Sequence, residues 1–486
     1  MAFDMTAARE RLLSALDSSA AEFKPNTVVS VFKDGEPVLR KGYGTSKQSD
    51  RFVMTLECDI FLSLMALLLI EQKKLRFSDK LSRYIPEYKH AGEITVRNLM
   101  DKKTGIRDFF YGEIMRRMDE TDSGISDEER RLRDTAASAK YYSVEEVLSL
   151  IGEFDLEAKP GTEEQWGMGT EPFLRTVIER AAGESLWDFA EENIFRPLGM
   201  ENTRRGGENI EYSVIFRNEK FIPFLPEQHN PYLFTTDLAD AEKLLLGLFG
   251  GKLLSEKSYS MATDFRRVNE RWGFESNDGF INTCFYFYGT IGSGVLYHDP
   301  GTGVSAVVLA SEEAKYVVGG NGSSRFFRKE MRGALSEIFT YPKNTKMVPY
   351  NKHNCFGAMN LEVTKEQLDF VDDAKTTICY AAAYPHHKVF VEEESGRAVG
   401  LLDLYVNKKK QQYEISIVLI DKRYQHRGFG KVMLRFAVDY LKAQGAKRLT
   451  IGVNRFNIPA QKLYRSVGFT EDNVYEEGMM MSQTLE

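Results

Sequence analysis

Cysteine is scarce. Cys58, Cys284, Cys355 and Cys379 are the only four in 486 residues, and no two stand in Cys-x-x-Cys spacing. That argues against a zinc knuckle or a disulfide scaffold and suits a reducing compartment. Long apolar runs are missing too. The longest, IFLSLMALLLI over Ile60–Ile70, is broken by Ser63 and falls well short of the ~20 residues a membrane span needs. The N-terminus, MAFDMTAARERLLSALDSSA, carries Asp4, Arg9, Glu10 and Arg11 where a secretory signal needs an unbroken apolar stretch. A cytoplasmic protein with no membrane partner is the expectation. There is no excess of basic charge: 64 Lys+Arg against 71 Asp+Glu leave a formal charge of −7, so no global field would hold nucleic acid. The seven histidines show no ligand spacing beyond the adjacent His386-His387, a pair that suits a loop better than a metal site, and no metal is expected.

What is present is an ordinary globular composition, 42% hydrophobic and 28% charged, in a chain long enough for two to four domains at about 150 residues each. No internal repeat interrupts it. The clearest join is Tyr341–Gly357, YPKNTKMVPYNKHNCFG, where Pro, Asn and Lys replace apolar periodicity. This predicts one domain over residues 1–345 and a smaller one over 355–486. The first opens with a short amphipathic helix and two apolar runs around Lys33-Asp34-Gly35, a hairpin signal. It closes with glycine-punctuated strands and the helix FRKEMRGALSEIF. Strands at both ends with helices between predict one sheet closed by pairing its first and last strands. DEERRLRD over Asp127–Asp134 reads as a solvent-facing helix.

In the second domain, KVFVEEE, AVGLLDLYV and QYEISIVLI read as three strands joined through a solvated turn at Lys408–Lys410. A loop follows, Gln425-His426-Arg427-Gly428-Phe429-Gly430, then a helix from about Lys431 to Gln444 and the strand RLTIGVN. Glycines between a strand and a helix let the backbone approach a diphosphate, whose charge the helix N–H groups favour.

Gln-x-x-Gly-x-Gly after a strand, then Asn457, Ala460, Leu463, Tyr464 and Gly468-Phe469, resembles the ordered motifs of the GNAT N-acetyltransferases over about Asn360–Leu485. The resemblance implies a mixed β-sheet with flanking helices and acetyl-CoA as co-substrate. Residues Gln425 to Gly430 with Lys431 would hold its pyrophosphate, and the backbone of Val418, Leu419 and Ile420 its pantetheine arm. Asn457 would bond the cofactor or brace the neighbouring strand, and Tyr464 would protonate the departing thiolate. Glu414 is a candidate base for the acceptor amine, and Asp403 a weaker one. EISIVLIDKRYQHRGFGK is similar to the bacterial polyamine acetyltransferases, which constrains the cofactor end more than the acceptor.

The first domain, over about Lys24–Thr340, resembles the class C β-lactamase and penicillin-binding serine hydrolases through segments such as IPEY, KPGTEEQW and PLGMENT. That implies an antiparallel sheet with helical insertions. The family's chemistry needs a Ser-x-x-Lys at the start of the buried helix. Ser63 instead has Ala66 three positions on, and Ser30…Lys33 lies on a predicted strand, where residues three apart face opposite ways. Trp166-Gly167-Met168 stands for the Tyr-x-Asn motif and Thr290-Ile291-Gly292 for the Lys-Thr-Gly motif. The expectation is an α/β multidomain protein, a degenerate hydrolase domain followed by an N-acetyltransferase acting on a small-molecule primary amine. Homo-oligomerisation stays open. So do two alternatives: an amidase or esterase with a replaced nucleophile, and a non-catalytic acetyl-CoA-binding regulator.

Overall fold

The computed structural model describes residues 5–115, 124, 126, 141–164, 169–206, 213–215, 221–223, 231–265, 270–277, 280–286, 293–310 and 323–485. The chain divides into two compact units, Met1–Asp299 with Gly303–Ala334, and Pro300–Thr302 with Leu335–Glu486. The division falls inside the helix Ser323–Phe339.

The first unit is built on strands β1 (Thr27–Lys33), β2 (Glu36–Tyr43), β8 (Glu270–Arg271), β9 (Phe274–Asn277), β10 (Phe280–Tyr286), β11 (Ser293–Asp299) and β12 (Val304–Ala310), in the order β2-β1-β12-β11-β10-β9-β8. Every pairing is antiparallel. As the sequence predicts, the first strand pairs with the last, from Thr27↔Ala310 to Lys33↔Val304. The turn between β1 and β2 is Asp34-Gly35, both at positive φ (52° and 85°), the backbone a two-residue hairpin requires. Smaller sheets join β3 (Phe52–Thr55), β7 (Leu233–Thr236) and β4 (Arg204–Arg205), and β5 (Ser213–Ile215) with β6 (Phe221–Pro223). The apolar run forms the helix Asp59–Glu71, in which every side chain from Ile60 to Leu69 is buried. It is hydrophobic all round because it is surrounded all round.

The second unit carries a seven-stranded sheet: β13 (Thr345–Pro349), β14 (His387–Glu394), β15 (Arg397–Asn407), β16 (Gln412–Ile420), β17 (Arg448–Asn454), β19 (Gly478–Thr484) and β18 (Thr470–Val474), in that spatial order. Only β16–β17 is parallel. The helix Phe429–Ala443 packs Met433, Leu434, Ala437 and Leu441 on one face, against Leu402, Leu404 and Ile415. The helices Cys355–Met359 and Ala374–Ala383 lie on the other, against Val391, Leu401 and Leu419. The segment read as a linker is part of this sheet. Thr345–Pro349 pairs with β14, and the Glu394 carboxylate gathers Lys343 N, Asn344 N and Thr345 Oγ1 at 2.7–3.0 Å. Its polar composition suited an edge strand.

Strands β16 and β17 touch only briefly. Glu414↔Thr450 and Ile415↔Ile451 are paired, and beyond them the strands part. The cause lies on the other edge of β16, where Asp403 pairs with Ile417 but Leu404 with Ile415, so Ser416 is an extra, bulged residue. A bulge bends the strand that carries it, and here it opens a gap in the sheet.

Candidate active site

That gap is the candidate site. A cleft of about 310 Å³ is lined by Ser416–Ile420 of β16, Gly452–Asn454 of β17, the loop residues Gln425, His426 and Gly428–Lys431, and Asn457, Leu463 and Tyr464. Because β16 pairs with β15 on one edge only past Ile415, alternate backbone groups of Ser416–Ile420 face the gap without a strand partner. Val418, Leu419 and Ile420 all border it.

The loop is held in an open shape. Gly428 stands at φ 103° as the residue before the helix Phe429–Ala443, a conformation that favours glycine. A Cβ on Gly430 would come within 2.9 Å of Leu463 Cδ2, so glycine lets this helix approach Ile458–Arg465. The Lys431 and Val432 N–H groups turn back onto Gly428 O, which leaves the N–H groups of Phe429 and Gly430, at the very start of the helix, available to an anion. The side chains do other work. Gln425 donates to Ile420 O at 2.8 Å and pairs amide to amide with Gln367. Phe429 is buried beside Tyr424. Arg427 is turned into the protein, donating to Thr340 O at 3.1 Å and lying 3.9 Å from Glu337. Gln425 and Phe429 border the cleft, whereas Arg427, expected to help hold the pyrophosphate, is not in its lining.

Asn457 Oδ1 accepts the Ala460 N–H at 3.2 Å and caps the helix Ile458–Arg465. Tyr464 lies at the far end of that helix, 7% exposed, and burial pushes its phenol up to about 12. It is therefore fully protonated at neutral pH, the state an acid requires.

On the opposite face of the sheet, His387↔Tyr405↔Glu414 form one row across β14, β15 and β16. Directly paired residues project to the same side. Asp403, two positions along from Tyr405, shares that side and is joined to His387 Nδ1 at 2.6 Å. Burial raises the carboxyl pKa of both Asp403 and Glu414, with His387 opposing the shift in each. Sequence reasoning missed His387 by assigning the His386-His387 pair to a loop. His386 does turn at φ 77°, but His387 opens β14. The parity of His387 with Val389 and Val391 was the available signal.

In the first unit, Ser63 is buried within the helix Asp59–Glu71 and Ser30 is buried on β1, with Lys33 paired to Asp34. At the start of that helix Asp59 meets Lys102 at 2.6 Å. Glu171 Oε2 is shut off from solvent, and burial and the neighbouring Asp59 push its carboxyl up to about 8. Trp166-Gly167-Met168, Thr290-Ile291-Gly292 and Asp127–Asp134 lie outside the described residues. Among the described residues no group of acidic, histidine and cysteine side chains could hold a metal ion, and no helix is long and apolar enough to cross a membrane.

Comparison with known proteins agrees with this division. Residues 20–321 match the Beta-lactamase family and residues 357–469 the Acetyltransferase (GNAT) family. Among curated relatives, a D-aminopeptidase of Brucella anthropi is 24% identical over 36% of this chain and 32% of its own length. Penicillin-binding protein 4* of Bacillus subtilis is 22% identical over 40% and 41%. The chain thus spans about a third to two fifths of the length of these relatives. The solved penicillin-binding protein of Bacillus halodurans shares the first unit's fold, with a TM-score of 0.50 and 15% identity over 67% of this chain and 99% of that one. The chain belongs to the Beta-lactamase family over most of its length and carries a C-terminal GNAT acetyltransferase domain.

Proposed function

We propose that the protein transfers an acetyl group from acetyl-CoA to the primary amine of a small molecule, by direct attack of the amine on the thioester. The observation that carries this reading is the cleft itself, which has the glycine loop at one end, unpaired strand edge along its side and Tyr464 in its wall. The pyrophosphate would rest on the backbone N–H groups of Gly428–Gly430, with Lys431 beside them, and the pantetheine amides on Val418–Ile420. When bound, acetyl-CoA supplies the activated acyl carbon. Tyr464 holds the proton for the leaving sulfur, and Glu414 belongs to the end where the acceptor arrives. The 1–345 domain would be a non-hydrolytic scaffold, since the serines on its buried helix and first strand lie in the core rather than at a surface.

The test is thiol release from acetyl-CoA by the full chain against a panel of amines, with Tyr464→Phe alongside. A fall in kcat of about 10²-fold or more with acetyl-CoA binding retained is the expected result. If acetyl-CoA leaves the melting temperature unchanged, the reading is wrong. A fluorescent penicillin should leave the chain unlabelled.

A further inference from the structure

The amine-binding end of the cleft is identifiable, and with it the group that takes the amine's proton. This inference rests on the acetyltransferase reading above. The loop at the C-terminal end of β16 and the bulge at Ser416 are separated by Ser416–Ile420, roughly 13 Å of strand. A cofactor whose phosphates sit at the loop and whose arm follows β16 brings its acyl end toward Ser416. Immediately beyond stands the row His387–Tyr405–Glu414, on the face opposite the one into which Tyr464 packs.

Four observations single out this row, which adjoins the Ser416 end of the cleft without lining it. Asp403 is 1% exposed, and its Oδ1 has no partner among the described residues. Its Oδ2 holds His387 Nδ1 at 2.6 Å, which leaves Nε2 for a ligand. Glu414 adds a second carboxylate on the same face, half-buried and without an arginine or lysine in the row. Aromatic rings wall the space. Tyr405 lies 5.4 Å and Tyr380 5.3 Å from the His387 ring, and Tyr384 lies tilted against Tyr380 at 4.4 Å, with both of these half exposed. Carboxylates among tyrosine faces attract a cation.

We propose that this row binds a primary alkylammonium ion between Glu414 and the tyrosines, and that His387, oriented by Asp403, removes its proton. The ammonium nitrogen starts with three protons. One passes to His387 Nε2 and then to water, leaving a neutral amine whose lone pair attacks the thioester carbon. The C–N bond forms and the C–S bond breaks, and Tyr464 gives its proton to the departing thiolate. The second nitrogen proton returns to Tyr464 through water. The amide keeps the third, and the sum is ammonium plus acetyl-CoA giving amide, CoA thiol and one proton. The groups facing His387 are Asp403 and Tyr405 from β15, Glu414 from β16 and Tyr380 from the helix Ala374–Ala383, while His386 packs edge-on against Tyr405.

The experiment uses the full chain, n-butylamine as acceptor and butyltrimethylammonium as an inhibitor that carries the charge but no proton to lose. His387→Gln should lower kcat about 10²-fold at neutral pH and abolish the acid-side fall of the pH profile, while the inhibitor constant stays within threefold. Glu414→Gln should raise both the amine KM and the inhibitor constant about tenfold. His387→Gln with an unchanged kcat and pH profile would overturn the proposal, as would an inert butylamine while acetyl-CoA still raises the melting temperature. Absence of that thermal shift would instead defeat the acetyltransferase reading itself.

Discussion

Tyr424 and Ser336 share a hydrogen bond of 2.9 Å between their hydroxyls, both buried in the second unit. Tyr424 also borders the cleft and packs on Phe429. Together with Arg427 on Thr340 O, the contact ties the glycine loop to residues 336–340. Tyr424→Phe leaves the Ser336 hydroxyl unpaired, which costs ~1–2 kcal/mol. The expected outcome is a lower urea midpoint and a severalfold weaker acetyl-CoA affinity by calorimetry. Ser336→Ala leaves the buried Tyr424 hydroxyl unpaired in its turn and should weaken binding by a similar factor.

Asn457→Ala should remove the cap of the helix Ile458–Arg465, with a loss of about 1 kcal/mol. Because Tyr464 rides on this helix, kcat should fall more than the stability change implies. Asn457→Asp restores the capping oxygen and should recover most of both, measured by thermal melting and thiol release.

Glu392 gives stability a pH dependence of unusual sign. It is fully buried, both its carboxyl oxygens lack partners among the described residues, and burial followed by the nearby Glu394 pushes it up to about 9. The folded protein therefore holds this proton where the unfolded chain, with an ordinary glutamate, has released it. As pH rises from about 4.5 toward 9 the contribution of Glu392 to stability declines, and above that it levels off. Glu392→Gln should be more stable than the parent at pH 8 by denaturant unfolding, with the gap closing toward pH 4.5.

In the first unit Arg175 is buried. It pairs with Glu57, donates to Tyr142 O at 2.6 Å and lies over the rings of Tyr141 and Tyr232. Arg175→Met takes the charge partner from Glu57 and the donor from Tyr142 O, and should cost about 3–5 kcal/mol. The double variant with Glu57→Gln should regain part of that, read from the unfolding of the full chain.

Local pattern carried much of this structure. β17 is the stretch RLTIGVN, the helix after the loop begins at Phe429 rather than Lys431, and the buried run is a helix throughout. The glycine loop and Tyr464 were picked out by their resemblance to the GNAT motifs, and both border the cleft. The rest depends on register between distant strands. Nothing in QYEISIVLI announces that Ser416 is an extra residue relative to β15, nor that His387 stands in line with Glu414. Arg427 has the composition of a phosphate ligand, yet the residues that turn it inward, Glu337 and Thr340, lie almost ninety positions earlier. The strand Thr345–Pro349 was hidden because an edge strand tolerates the same residues as a loop.

The short contact between β16 and β17 has a mechanical consequence. Two residue pairs are the whole seam joining the β13–β16 half of the sheet to the β17–β19 half. A molecule lying along Ser416–Ile420 would then act as a temporary strand, stitching the two leaves together from the hinge outward. The amide hydrogens of β16 that face the gap would exchange with solvent fastest in the empty protein and slow the most on filling, making that strand a gauge of occupancy that needs no turnover to read.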